Sequence, residues 1–355
     1  MPIAGIKFNY TLHPVSPLRV IMKNKFSLFL LIICSFSLSA QRTAHIALSG
    51  GVVNYIGDLG NEKYIPYSSA NTGSAITISD FINDPKKSGT RFSIFDMQLR
   101  FSWHRLQYDE TKQIGDEKGI NLRNYNRGIS FRNDLFGSEL DFTYNIYPNH
   151  NAPLNKQRYS FFLLAGVGVF YGQPKADLFN ENSSSDSKYY YWKDGSIRDV
   201  AENPYGLGNE IKKDGNYETT LRDWHTEGQG YSNEIHTTKP YDYVNIGFPF
   251  GGGIRYMYNK LLTFSAEFNY YYFLTDYLDD VSTRYATYEE LKASYPDAVN
   301  FELAKYISDP SGMGTNGIIP SASRRGNPNK NDSFTYLSLE ASYKITWKKK
   351  GIYGQ

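Results

Sequence analysis

The sequence predicts an all-β fold: an eight-stranded antiparallel transmembrane β-barrel with long extracellular loops and short periplasmic turns. Three observations carry this prediction: an export signal near the N-terminus, a polar but aromatic-rich composition, and segments that alternate polar and apolar residues. The chain holds 31 tyrosines and 22 phenylalanines, yet its mean hydropathy is −0.51. Barrel strands give this combination because only every second residue of a strand faces lipid.

A targeting signal precedes the predicted barrel. From Met22 the chain reads MKNKFSLFLLIICSFSLSAQ, with two lysines, then an apolar stretch, then small residues up to Ala40. These three regions in this order are typical of a secretory signal peptide. We therefore predict a signal peptide over 22–40, cleaved after Ser39 or Ala40, and a mature chain over 41–355. Residues 1–21 are interpreted as an extension from a wrongly chosen start.

The remaining composition excludes several classes of function. The only cysteine, Cys34, lies inside the predicted signal peptide, so disulfide and thiol chemistry are excluded from the mature chain. After residue 40, no stretch reaches 18 consecutive apolar residues, which argues against a membrane-spanning helix. The formal net charge of +2 argues against a nucleic-acid partner. We predict an outer-membrane location in contact with lipid, with no cofactor and no metal.

Four segments alternate cleanly over about ten residues. In IFDMQLRFSWH (94–104), Phe95, Phe101 and Trp103 fall on one face, and Asp96 and Arg100 fall on the other. The same pattern recurs in SELDFTYNIY (138–147), LLTFSAEFNYYY (261–272) and TYLSLEASYKITW (335–347). Successive side chains of a strand point to opposite faces, so the apolar face is predicted to meet lipid and the polar face the lumen.

Four weaker segments complete the barrel. They are TAHIALSGGVV (43–53), SAITISDFIN (74–83), YSFFLLAGVGVFYG (159–172) and YVNIGFPFGGGIRYMY (243–258). Eight strands is an even number, as bacterial barrels require. The outer loops then cover about 57–73, 106–137, 173–241 and 279–332, and they alternate with short turns. Short periplasmic turns and long outer loops are the expected asymmetry.

The inward-facing positions carry both signs of charge. An eight-stranded barrel is just wide enough to be filled by its own side chains. We expect a plug of paired, hydrogen-bonded groups, with a proton or ion path as the alternative, and count His45 and His104 as part of the filling. The predicted lumen network consists of Asp96, Arg100, Glu139, Asp141, Arg255, Glu267, Glu340 and Lys344.

A second polar group is predicted at the outer rim, where TDYLDDVS (275–282) leaves the seventh strand. Its aspartates do not follow the spacing of a calcium loop, which needs acids at alternate positions and a central glycine. We expect them to pair and cap the loop bases, with Arg324 and Arg325 as partners. Below them, Tyr270–Tyr272 are expected in the interfacial aromatic girdle. The rim candidates are Asp58, Asp276, Asp279, Asp280, Arg324, Arg325 and Asp332.

Three outward-facing segments together resemble a known family. They are YIGDL (55–59), TDYLDDVS (275–282) and RGNPNKNDSF (325–334). In this order, on an eight-strand pattern, they resemble the PorG-like outer-membrane barrels of the type IX secretion system found in Bacteroidota. The resemblance implies a non-enzymatic barrel that associates with periplasmic ring subunits of the secretion machine. The stretches 173–241 and 283–322 are enlarged, which leaves open a paralogue with another role.

The predicted periplasmic elements are rich in bases. This basic ring could bind an acidic partner protein or the phosphates of lipid headgroups. The candidates are Lys86, Lys87, Lys156, Arg158, Lys260, Lys348, Lys349 and Lys350.

Two further functions remain open. SKYYYWKDG (187–195) and GNYETTLRDWHTEGQGY (215–231) are dense in tyrosine and tryptophan. They predict either a receptor surface for other surface proteins or ligands, or a loop that packs on itself as a lid. The second alternative is a lipid-modifying enzyme, for which His225, His236 and nearby serines are the candidates, although their spacing matches no catalytic motif.

Overall fold

The computed structural model describes residues 43–60, 69–81, 95–110, 120–146, 158–180, 187–231, 239–314 and 324–346. The predicted signal peptide and N-terminal extension lie outside the described residues. So do six of the eight basic candidates, namely Lys86, Lys87, Lys156, Lys348, Lys349 and Lys350, and also His236. No helix in the described part of the chain is both long and apolar enough to cross a membrane.

Eight long strands form a closed antiparallel barrel. They are β1 (Thr43–Ile56), β2 (Ala70–Phe81), β3 (Phe95–Asp109), β4 (Ser130–Ile146), β5 (Tyr159–Tyr171), β10 (Val244–Met257), β11 (Leu262–Phe273) and β12 (Ser333–Thr346). Each strand pairs with the next along the chain, and β12 lies beside β1, which closes the ring. All eight predicted strands are present, so the predicted fold class is confirmed.

The alternation of side chains explains both faces of the barrel. Large apolar side chains are exposed along the outer face of every strand, as with Leu48 (62% exposed), Leu163 (57%) and Leu339 (72%). Between them, polar side chains such as Arg100 and Glu139 are buried inside. A belt of exposed leucine and phenylalanine is stable only against hydrocarbon, so this belt is the lipid-facing surface.

Strands β3 and β4 run further outward than the sequence patterns predicted. The predicted outer loop 106–137 is too long at both ends, and the observed connection is 110–129. The reason is an inversion of polarity above the membrane. There the inward residues Leu106 and Phe131 are apolar and buried, whereas Arg105 and Asp134 face outward. The side chains still alternate with a period of two, but the apolar ones now face inward, which is the reverse of a membrane strand.

The outer loops carry the remaining secondary structure. The connection from β3 to β4 holds α1 (Ile120–Arg127). The connection from β5 to β10 holds a 3-10 helix (Leu221–Trp224) and four two-residue strands: β6 (Lys175–Ala176), β7 (Tyr190–Tyr191), β8 (Ile197–Arg198) and β9 (Thr219–Thr220). The connection from β11 to β12 holds α2 (Tyr288–Ser294) and α3 (Ala298–Ser308). A capping box of Thr287 and Glu290 starts α2.

Candidate functional site

The middle of the lumen is filled by a network around Arg100. Its Nη2 lies 2.7 Å from Glu267 Oε1, and its Nε lies 3.4 Å from Asp141 Oδ2. The Tyr271 hydroxyl donates to Glu139 Oε2 at 3.0 Å and itself accepts from Arg100 Nη1 at 3.4 Å. All of these side chains are at most 4% exposed. The arrangement is a packed plug of opposite charges and not an open path.

Tyr271 corrects one expectation from the sequence. Tyr270–Tyr272 were predicted to belong together to the aromatic girdle, but neighbouring side chains of a strand point to opposite faces. Tyr272 is 39% exposed and faces lipid, whereas Tyr271 is fully buried in the lumen. The run of three tyrosines therefore supplies both the girdle and the plug.

A small cavity of about 80 Å³ lies below this plug, toward the periplasmic end of the barrel. Arg255 Nη1 contacts Asp96 Oδ2 at 3.0 Å and Asn145 Oδ1 at 2.6 Å there. Glu340 lines the same cavity, and Lys344 lies half-buried further down β12. Of the eight predicted lumen residues, four belong to the central plug and three line this lower cavity, and Lys344 lies beyond both.

Above the plug the lumen becomes apolar. The His104 ring lies 4.9 Å from the Phe334 ring and 4.7 Å from the Tyr336 ring, measured between centroids. Phe170 and Phe273 pack beside them, with centroids 5.0 Å apart. These side chains adjoin a buried core that continues upward through Leu106 and Phe131 into loop residues such as Leu178 and Leu221. The barrel mouth is therefore sealed by a hydrophobic core.

The outer rim holds a buried polar network, which we call the rim cluster. It joins segments that are far apart in the sequence: the end of β1, the β3–β4 loop, the long β5–β10 loop, the segment after β11, and the approach to β12. Its members are Asp58, Glu110, Arg127, Glu227, Asp276, Asp279, Asp280, Arg325 and Asp332.

Arg325 lies at the centre of the rim cluster. Its Nη2 contacts Asp280 Oδ2 at 3.2 Å, and its Nη1 contacts Glu227 Oε1 at 3.3 Å. Asp280 also accepts hydrogen bonds from Thr226 Oγ1 at 2.6 Å and from the Tyr241 hydroxyl at 2.7 Å. Both carboxylate oxygens of Asp280 are therefore hydrogen-bonded, and the ion pair is integrated in the loop structure.

Arg324, which the sequence predicted as a second partner of the aspartates, is placed differently. Its side chain is exposed, and its Nε donates to the Gly326 carbonyl. Arg324 forms an isolated bridge with Arg284, and consecutive residues of an extended segment point to opposite sides. Of the two arginines, Arg325 alone points into the rim cluster.

Asp279 and Asp332 fix the first turn of the loop that follows β11. Asp279 accepts from the Tyr55 hydroxyl and, at 2.9 Å, from the Val281 backbone amide. Asp332 accepts from the Leu278 amide at 2.8 Å. These bonds tie β1, the TDYLDDVS segment and the start of β12 to one another. The sequence predicted such capping for Asp279, but for Asp332 it predicted only a position at the same rim.

Arg127 and Asp58 connect the β3–β4 loop to the rest of the rim cluster. Arg127, at the end of α1, donates to the carbonyl oxygens of Arg325 at 3.0 Å and Asp58 at 3.1 Å. The same guanidinium forms a two-point ion pair with Glu110. Asp58 in turn accepts from the Asn327 amide. Three outer loops therefore meet at the Arg127 side chain.

Burial of so many acids shifts their titration. Burial raises the pKa of Asp276 to about 8, and the nearby charges of Asp58 and Glu227 add to the shift. Burial also raises the pKa of Asp280, which stays at about 6 because Arg325 opposes the shift. For Asp279 and Asp332, burial and the neighbouring carboxylates raise the pKa well above its ordinary value. Burial therefore favours the protonated form of these acids, whereas Arg325 favours the charged form of Asp280.

Sequence reasoning missed Glu227, Glu110 and Arg127. Glu227 accepts from the Ser282 amide at 2.8 Å, the Thr283 amide at 2.9 Å and the Thr283 hydroxyl at 2.7 Å. Glu227 lies in the long loop, just before the glycine-rich stretch GQGY. No local sequence pattern there predicts a buried carboxylate. Within the described ranges, no group of three or more His, Cys, Asp or Glu side chains is arranged to hold a metal ion.

The aromatic loop segments pack inward. Tyr189 is fully buried, and Trp192 and Tyr217 are 5% and 6% exposed. The Tyr125 hydroxyl of α1 donates to the carbonyls of Trp192 and Ser196 at 2.9 and 2.8 Å. The sequence left open a receptor surface or a loop that packs on itself as a lid, and this geometry matches the lid.

His225, one of the catalytic candidates, contacts a serine hydroxyl. His225 Nδ1 lies 3.3 Å from the Ser294 hydroxyl, and the Asp223 carboxylate accepts at 3.2 Å from the Tyr243 hydroxyl. A nucleophile activated by histidine needs an acid that orients the ring. Among the described contacts, His225 meets Ser294 and Asp223 meets Tyr243, which gives a histidine–serine pair without an acid bonded to the ring.

The two described basic candidates lie at the short-turn end of the barrel. Both are exposed; Arg158 directly precedes β5, and Lys260 lies in the turn between β10 and β11. Arg158 Nη1 lies 3.5 Å from the Tyr256 hydroxyl. Both side chains can therefore reach a partner or a headgroup on the periplasmic side.

Comparison with known proteins adds little beyond the fold. No protein-family model and no curated protein matches the chain. Neisserial surface protein A is similar in structure, with 9% identity and a TM-score of 0.35, over 86% of this chain and 100% of that one. Ail, the attachment invasion locus protein of Yersinia pestis, has 6% identity and a TM-score of 0.30, over 86% and 99%.

A major outer membrane protein from Thermus thermophilus gives 10% identity and a TM-score of 0.31, over 85% of this chain and 99% of that one. Similarity at these levels carries no inference about function. The closed strand pairing and the exposed apolar belt of the chain itself are those of an outer-membrane barrel.

Proposed function

We propose that this chain is a non-enzymatic outer-membrane barrel associated with the type IX protein secretion machinery, where it interacts with periplasmic ring subunits. One observation carries the proposal. The three segments that resemble the PorG-like barrels, 55–59, 275–282 and 325–334, converge on the rim cluster through Tyr55, Asp279 and Arg325. These segments adjoin the neighbouring strands β1, β12 and β11, and the buried bonds among them support the view that they form one structural unit, as the resemblance implies.

The filled lumen supports a structural role over transport. Arg100 and Tyr271 occupy its middle, and the ring core of His104 and Phe334 lies above them. A barrel without an aqueous path acts through its surfaces. On the periplasmic side, Arg158 and Lys260 offer positive charge to an acidic partner.

The proposal is tested in a deletion strain complemented with variants. We expect the deletion to retain secreted cargo in the periplasm, and the wild-type chain to restore export. The double variant Arg158→Glu/Lys260→Glu should reduce co-purification of periplasmic subunits, as should Glu substitutions at Lys348, Lys349 and Lys350. Lys193→Glu on the outer side, also at an exposed lysine, is the matched control. Normal cargo export together with unchanged recovery of periplasmic subunits would refute the proposal.

The two alternatives have less support. A receptor that uses the aromatic loop segments would need their rings exposed, yet Tyr189 and Trp192 are buried. A lipid-modifying enzyme would need an acid behind His225, and Asp223 is bonded to Tyr243 instead. Lipid A of normal mass in the deletion strain would further disfavour the enzyme.

A further inference from the structure

The charges inside the barrel do not balance. The eight predicted lumen residues are five acids and three bases. Arg100 contacts two of the acids in the central plug, and Arg255 contacts Asp96 in the lower cavity. Glu340 lines the same cavity, and no other described residue forms an ion pair or a hydrogen bond with its carboxylate. Glu340 is therefore the carboxylate of the lower cavity that lacks a basic partner.

The nearest bases do not supply the missing charge. Arg255 Nη1 is held by Asp96 Oδ2 at 3.0 Å and by Asn145 Oδ1 at 2.6 Å. Lys344 lies four residues further along β12, so its Cα atom is about 13 Å from that of Glu340. A carboxylate without a cation is unfavourable inside a closed barrel, because the surroundings solvate it poorly. The lower cavity therefore favours uptake of a positive charge near Glu340.

The other groups of the cavity indicate a cation in preference to a proton. Asp96 Oδ1, Gln98 Oε1 and Ser265 Oγ line the cavity without a hydrogen-bond partner among the described residues. Their side chains are only 4%, 4% and 5% exposed. A proton on Glu340 can be donated to one acceptor only, whereas a hard cation and its water bind several oxygens at once.

Strand pairing places these oxygens around the cavity. Ser265 is directly opposite Glu340 in the β11–β12 pair. Asp96 and Gln98 are successive inward residues of β3, which lies across the barrel from β11. The cavity of about 80 Å³ has room for a cation and a few waters, each of which occupies about 30 Å³ in the liquid.

We propose that the lower cavity binds one divalent hard cation, Mg²⁺ or Ca²⁺, with water completing its shell. Its ligands are the carboxylates of Glu340 and Asp96 and the neutral oxygens of Gln98 and Ser265. Mg²⁺ in particular is often held by one or two carboxylates and several waters, so the site needs no group of three His, Cys or acidic side chains. This site revises the sequence-based expectation of no metal.

The position of the site limits what the ion does. The plug around Arg100 lies above it, so the ion enters and leaves from the periplasmic end and does not cross the barrel. Its charge compensates Glu340, while Asp96 keeps its contact with Arg255 through the other carboxylate oxygen. The inference does not depend on the secretion role proposed above.

The test is calorimetric titration of the folded full-length chain in detergent micelles, after treatment with EDTA and removal of the chelator. CaCl₂ and MgCl₂ are titrated separately, in about 0.15 M NaCl so that exposed charges are screened. We expect saturable binding of at least one of the two ions, with one site per chain. Absence of saturable binding for both ions would overturn the proposal.

Variants then locate the ion. Glu340→Gln should weaken binding about tenfold or more, because ligand charge sets the affinity for hard cations. Ser265→Ala removes a neutral oxygen and should weaken binding by a smaller factor, which provides a second readout if Glu340→Gln does not fold. Glu302→Gln, at a glutamate that is 62% exposed on α3, is the matched control and should bind as the wild type does.

Heat-modifiable mobility on gels shows which variants are folded. The rim cluster is the other acidic region of the described chain, so Asp276→Asn is titrated as well. Loss of binding in Asp276→Asn but not in Glu340→Gln would place the ion at the rim and overturn the proposal. Binding that neither Glu340→Gln nor Ser265→Ala weakens would also overturn it.

Discussion

Arg325 and Asp280 form an ion pair at 3.2 Å in which the two side chains are 1% and 0% exposed. Asp280 has a φ of 68°, a left-handed conformation that is unfavourable for a residue other than glycine. The Arg325 guanidinium also donates to the Asp280 backbone carbonyl. The arginine therefore holds both the charge and the strained backbone of the loop that begins at the end of β11.

Replacing Arg325 should destabilise the outer loops strongly. Arg325→Met leaves Asp280 and Glu227 buried without their cation, and breaking a buried pair costs about 3–5 kcal/mol. Arg324→Met is the matched control, because Arg324 is exposed and should change stability by less than about 0.5 kcal/mol. Urea titration in lipid vesicles measures both. Equal effects of the two variants would contradict the assigned role of Arg325.

Glu227 should matter although it lies in a long loop. Glu227→Ala removes the acceptor for the amides of Ser282 and Thr283, and each buried unsatisfied donor costs about 1–3 kcal/mol. We expect a loss of more than about 2 kcal/mol and faster proteolysis of the outer loops. Glu210→Ala, at an exposed glutamate of the same loop, is expected to leave both quantities unchanged. A stable Glu227→Ala variant would argue against the network.

The stability of the outer loops should fall as the pH rises. The pKa of Asp276 is raised from 3.8 to about 8, so the folded loop retains a proton that the unfolded loop releases. The resulting stabilisation is present below about pH 4 and is lost as the pH approaches 8. Urea midpoints should therefore be higher at pH 5.5 than at pH 8.5, a pair of values chosen to span roughly this window. Asp276→Asn should reduce the difference without abolishing it, because the pKa values of Asp279, Asp280 and Asp332 are raised as well. The opposite trend would be inconsistent with the assigned burial.

Closure of the barrel depends on a glycine. A Cβ at Gly51 would overlap the Leu337 backbone carbonyl across the seam of β1 and β12. Gly51→Ala should lower the free energy of unfolding by about 1–3 kcal/mol and reduce the folded band on gels. At Gly50 the nearest atom to such a Cβ is 4.0 Å away, so Gly50→Ala should fold normally. A folded yield of Gly51→Ala equal to that of Gly50→Ala would contradict the close packing of this seam.

The fold was predictable because lipid imposes a simple pattern. Phe95 and Phe101 face hydrocarbon while Arg100 faces the lumen, and this period of two is visible over each strand. This pattern no longer identified the strands where they extend from lipid into water. Beyond Trp103 the outward residues are polar and the inward ones apolar, so the sequence resembles a loop although β3 continues to Asp109.

The candidate site was predictable only in part. The aspartates of TDYLDDVS are dense in sequence, and their burial at the rim follows from the position of the strand end. Glu227 and Arg127 are 98 and 198 residues from Arg325 along the chain, and only the folding of the long loops brings them to it. The distinction between Arg324 and Arg325 depends on which side of the segment faces inward, and no sequence period fixes that side in a loop.

We propose that this closed barrel acts by binding instead of transport. Arg100 and Tyr271 fill the lumen, and the core of His104, Phe170 and Phe334 seals it above. The most direct measurement is the ion conductance of the folded full-length chain in planar lipid bilayers. We predict a flat current without stepwise openings. Uniform stepwise openings that scale with the amount of folded protein would contradict the claim.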